Sequence, residues 1–93
     1  MTEANIRLEC LRPAARWQQP TGEEIREVLR VAGFTGGAAA KALGLGAKGD
    51  RTVRRWIGEE TAIPYAAWAL LCEFAGLGLI WKEVLTPREK FSG

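Results

Sequence analysis

Four stretches of this chain carry apolar residues at helical spacing, and glycines, prolines and polar turns separate them. The first opens on Thr21-Gly22-Glu23-Glu24. This is a capping box: the threonine hydroxyl takes an orphan backbone N–H, and the glutamate three residues on reaches back. Ile25, Val28, Leu29 and Ala32 then line one face, the stripe of an amphipathic helix. Glu23, Arg26, Glu27 and Arg30 fall on the other, as a solvated face with charges spaced to pair. Gly33 ends the helix and Thr35 caps the next.

In the second stretch Ala39, Ala40 and Leu43 share a flank. Alanines there let another helix cross closely, because nothing large stands in the crossing. Gly44 can take the left-handed conformation that ends the helix. A third helix follows, with Asp50 expected as its cap. Val53, Trp56 and Ile57 recur at i, i+3 and i+4 and face inward, which leaves Arg51, Thr52, Arg54 and Arg55 facing out. A fourth helix is expected over residues 65–75, with Pro64 at its first turn. Trp68, Leu70, Leu71, Cys72 and Phe74 make it apolar almost all round. Such a helix is either the centre of the fold or half core and half dimer interface.

The flanks are less regular. Ile6, Leu8 and Cys10 alternate with charged residues, so the spacing admits a short strand. Pro13 and Pro20 oppose a long regular element there. Two readings stand: a tail packed across the domain through Trp17, or a strand that pairs with a second subunit. After Gly76 and Gly78, Leu79-Ile80-Trp81 is a short strand or helix closing the domain. The expected architecture is mainly α: a small domain of four to five helices with a short N-terminal strand. Residues 1–20 form an extension, 21–85 the helical domain, and 86–93 a polar tail.

Charge sharpens this picture. The net charge is +2, nearly neutral. Yet residues 50–58 carry three arginines against one aspartate, while residues 59–93 are net acidic. One basic helix on a neutral chain suits a single nucleic-acid face. The helix start also favours a phosphate, and Lys48 just before it is placed to meet one.

Other chemistries find little support. Gly44-Leu45-Gly46-Ala47-Lys48-Gly49 satisfies G-x-G-x-x-G, but a dinucleotide site needs a strand before it and a βαβ unit around it. Here a helix precedes it, so the glycines read as turn residues. There is no histidine, and the two cysteines fit no metal spacing. Cys72 reads as a small core residue, and free thiols point to a reducing cytoplasm. Glu59-Glu60 reads as solvated charge rather than an acid–base pair. No enzyme, cofactor or metal is expected. Charges interrupt any early apolar region, so no signal peptide is expected. The uncharged run from residue 61 to 72 is too short to span a bilayer, which needs about 20 residues.

The stretch from Thr35 to Pro64 resembles the lambda-repressor/Cro-type (XRE-like) helix-turn-helix of phage and plasmid regulators. That family's second helix reads T-Q-x-x-L-A-x-x-L-G-V; Thr35, Ala40, Leu43 and Gly44 match, with Leu45 in place of valine. Its third helix reads T-V-x-R-W, which Thr52-Val53-Arg54-Arg55-Trp56 fits. Gly58 and Pro64 match the glycine and proline that follow. The chain departs from the pattern at Gly36, where the family has glutamine, at Gly37, and in a turn about three residues longer than usual.

The resemblance implies a sequence-specific regulator of double-stranded DNA, a repressor and homodimer of mobile-element type. Arg51, Thr52 and Arg55 would reach base edges in the major groove. Arg54 would touch phosphate, and Thr35 would face the DNA backbone with the N–H groups that begin the second helix. The alternative is a protein-interaction module on the same fold, such as an antitoxin bound to a toxin or an anti-CRISPR-type inhibitor of a host complex.

Overall fold

The structure, a computed structural model, describes residues 5–85. It is mainly α, as expected. Four α-helices follow one another: α1 (Gly22–Ala32), α2 (Gly36–Ala42), α3 (Gly49–Ile57) and α4 (Tyr65–Phe74). Short 3-10 helices lie before them at Leu8–Cys10 and Ala14–Arg16, and after them at Ile80–Leu85. The 86–93 tail lies outside the described residues.

The first capping box is present. Thr21 Oγ1 accepts from Glu24 N, and Glu24 Oε1 accepts from Thr21 N at 2.8 Å. Glycine ends α2 as its position suggests. Gly44 sits at φ 69°, Leu45 N donates to Ala40 O, and Gly44 N donates to Lys41 O. This paired closure satisfies two orphan carbonyls, and a left-handed residue makes it. The same pair of bonds closes α3, but there the left-handed residue is Glu59, at φ 61°, one position beyond Gly58. A glutamate bears that conformation at a cost of about 1–2 kcal/mol. Its carboxylate supplies the compensation: Oε2 accepts from Gly22 N at 2.6 Å, at the start of α1. The two helix ends are close enough that a Cβ on Gly22 would overlap Ile57 O.

The core is built from the inward faces of α1 (Ile25, Val28, Leu29), α2 (Ala39, Ala40), α3 (Val53, Trp56) and α4 (Trp68, Ala69, Leu71, Cys72). Cys10, Ile63 and Ile80 close it. Ile57, expected inward, is half-buried. Cys72 is a free, buried thiol, and burial pushes its pKa up to about 12. The fourth helix is not buried all round: Leu70 and Phe74 are exposed, and the Phe74 ring meets Phe34 edge-on at 5.3 Å.

The crossing of α2 on α3 depends on small residues. A Cβ added to Gly49 would lie 2.7 Å from the Cβ atoms of both Ala40 and Leu45. Only glycine lets α3 begin there, and this is why the helix starts one residue before the expected cap.

The N-terminal strand is not found. Leu8–Cys10 is a 3-10 helix, and no strand occurs among the described residues. Local partners capture the polar groups that a strand would have offered to another chain. Trp68 Nε1 donates to Cys10 O at 2.7 Å, and Tyr65 Oη donates to Arg12 O at 3.0 Å. Trp17 packs edge-on to Tyr65 at 5.1 Å. The packed-tail reading holds, and the strand-pairing route to a dimer falls away. Leu79-Ile80-Trp81 likewise leads into a 3-10 helix rather than a strand.

Glu24 fastens this tail. Beyond its capping bond, it accepts from Arg7 N at 2.9 Å, Arg7 Nε at 2.8 Å and Arg7 Nη2 at 2.9 Å. Burial opposes its charge, but the bonds from Arg7 and Thr21 prevail and hold its pKa at about 2.

Two outcomes are expected. Because the folded pKa of Glu24 lies below its unfolded value, its contribution is full above about pH 4.5 and is lost as pH falls toward about 2. Thermal melts of Glu24→Gln should show lower stability at neutral pH, by roughly 2–3 kcal/mol, and a flatter decline across that acid window. In the second, Gly49→Ala should destabilise the domain by about 1–3 kcal/mol through overpacking. Gly37→Ala, with no neighbour nearer than 4.0 Å, should stabilise it by about 0.5 kcal/mol. Denaturant unfolding of the two variants checks the contrast.

Candidate nucleic-acid interface

The sequence-expected residues gather around α3. Its buried side presents Val53 and Trp56 to the core; its outer side presents Arg51, Arg54 and Arg55, all exposed. Arg51 points most directly away from the buried face, at 100° of turn per residue. Arg54 and Arg55 flank it. Thr52, expected outward, is half-buried on the side of Arg55. Lys48 is exposed at the cap position of α3 and makes no side-chain cap bond. Thr35 is exposed at the start of α2, where its Oγ1 accepts from Ala38 N at 3.0 Å.

Asp50 is not the cap of α3. The helix already includes Gly49, so Asp50 lies in its first turn, exposed on the Arg54 flank. Its Oδ2 accepts from Arg54 Nη1 at 3.3 Å, an i,i+4 pair. Arg55 Nε lies 4.0 Å from Glu60 Oε1. Both pairs are exposed, and such pairs contribute about 0–1 kcal/mol. Either arginine can therefore exchange its carboxylate for a phosphate or a base edge at little cost. Among the described residues Arg51 has no carboxylate partner.

Residues outside the motif join this surface. Arg26 of α1 shares a shallow groove with Arg54, Ile57 and Gly58. The spacing of α1 marks Arg26 only as part of a solvated face; its approach to α3 is a tertiary fact. Glu59, taken as solvated charge, has a structural task at Gly22 N.

The described residues contain no group of histidine, cysteine or acidic side chains that could hold a metal ion, and no helix long and apolar enough to cross a membrane.

The surface is thus a short helix buried on one side, with three guanidinium groups on the other and lysine and arginine at its margins. No family model matches the chain, and no solved structure matches it. Two proteins of Escherichia coli, both named transcriptional repressor protein KorC, do match. One is 79% identical over 82 residues, 88% of this chain and 96% of the relative. The other is 74% identical over the same shares. At that identity and coverage, the chain belongs to the family of KorC transcriptional repressors.

Proposed function

We propose that this chain is a sequence-specific repressor that binds double-stranded DNA through a helix-turn-helix of the lambda-repressor/Cro type, α2 to α3, with α3 in the major groove. The observation that carries this reading is the exposed arginine face of α3, on a helix whose other side is fixed in the core. Its setting in a family of named transcriptional repressors favours DNA over the protein-interaction alternative with a toxin or host complex.

Arg51 and Arg55 meet base edges. A guanidinium fork pairs with guanine O6 and N7, worth about 1–3 kcal/mol of discrimination. Thr52, half-buried, contributes at the margin of that contact. Arg54 and Lys48 meet phosphates, as does the start of α2 at Thr35. Arg26 extends the phosphate-binding margin onto α1. The role is regulatory, and the Glu59-Glu60 carboxylates are engaged with Gly22 N and Arg55 rather than set up for catalysis. The protein acts in the cytoplasm as a homodimer on an inverted repeat, as half-site geometry favours. Exposed Leu70 and Phe74 of α4 offer apolar surface for the dimer.

Selection from a random DNA pool with the purified protein should return a palindromic motif. Binding to it should weaken as salt rises, because each neutralised phosphate releases counterions. Arg55→Ala should lose roughly five- to a hundred-fold in affinity and relax preference at one base pair per half-site. Unchanged affinity in that variant would remove Arg55 from the interface.

A further inference from the structure

We propose that Asp50 is a specificity-determining residue, whose carboxylate accepts a hydrogen bond from the N4 amino group of a cytosine in each half-site. The inference rests on the reading of α3 as the recognition helix and goes beyond it, to an acidic residue that the arginine pattern leaves out.

Four observations lead there. First, Asp50 is free of the capping task expected of it. It makes no cap bond, because Gly49 starts the helix and Lys48 occupies the cap position. Second, it stands in the first turn of α3 beside Arg51, at the end of the helix that enters the groove in this docking mode. Third, its side chain is 52% exposed, and its partner among the described residues is Arg54, on Oδ2 alone. Oδ1 keeps its acceptor capacity. Fourth, the Arg54 guanidinium beside it, 3.3 Å from Oδ2, offsets part of its charge. A carboxylate so placed can approach DNA with less repulsion from phosphates than a lone one.

The chemistry of the groove selects the base. An ionised carboxylate only accepts hydrogen bonds. Guanine N7 and O6 and thymine O4 also only accept, so they repel it. Two major-groove edges donate: cytosine N4 and adenine N6. On adenine the acceptor N7 lies next to the donor and opposes the second carboxylate oxygen. Cytosine offers its donor without that neighbour, so it is the better match. The same physics makes Asp50 a selective element. It lowers affinity for DNA that lacks the donor.

A merely structural Asp50, favourable to the helix dipole and to Arg54, would alter stability and leave base preference untouched. The test is therefore binding-site selection with the full chain and with Asp50→Ala and Asp50→Asn, each verified as folded by its melting curve. The wild type should select a cytosine at one fixed position per half-site. Asp50→Ala should keep the rest of the motif and lose roughly five- to a hundred-fold discrimination at that position. Asp50→Asn, nearly the same size, should move the preference there to adenine, since an amide matches adenine N6 and N7. If both variants select the wild-type motif with the same cytosines, the assignment is wrong while the DNA reading stands. If the wild type itself selects no motif, the recognition-helix reading fails and takes this one with it.

Discussion

The close approach of α2 and α3 at Gly49 is the constraint on which the arginine-bearing surface depends. A glycine there lets the start of α3 rest on Ala40 and Leu45, where a single extra carbon would overlap both. That contact places α3 against α2, turns Val53 and Trp56 into the core, and leaves the arginines outside. It also moves the cap of the helix from the expected Asp50 back to Lys48, two residues earlier, which releases Asp50 from capping and leaves it exposed in the first turn. One packing restriction thus decides both the angle of the helix and the set of side chains it offers.

A second chain of contacts holds the other end of α3. Arg7 binds Glu24, Glu24 caps Thr21, and Gly22 next to it donates to Glu59, the residue that closes α3. Glu59 accepts a left-handed backbone to do so. The N-terminal segment, the start of α1 and the end of α3 therefore form one connected unit. Carboxylates at the start of α1 also suit its dipole. In a domain this small, polar tethers of this kind supplement a core that cannot be large.

The electrostatics of the outer face are more balanced than a count of arginines suggests. Two of the three guanidinium groups on α3 already have a carboxylate in reach, at Asp50 and Glu60. Exposed pairs of this kind are weak and screened by salt. They leave the arginines able to exchange partners at little cost.

Much of the fold was legible because its signals are local. The Thr21 capping box, the Thr35 cap, the Gly44 turn and the inward Val53–Trp56 pair each rest on residues within a few positions of one another. Local geometry was enough to place four helices and to sort the arginines of α3 from its core side. What failed locally were contacts between distant segments. The alternation of Ile6, Leu8 and Cys10 could not reveal that Trp68 and Tyr65 would bind the backbone of that segment. Asp50 has the right chemistry for a cap, but the fit of Gly49 against Ala40 takes precedence. Glu59 and Arg26 read as surface charge until the fold brings them to Gly22 and Arg54. Which segments become helices and which faces are apolar follow from the local pattern of the chain, since periodicity and caps act within one turn. Where α3 begins, what ties down its end and which charges share its outer face emerge only on folding, because they depend on atoms brought together from positions far apart in the chain.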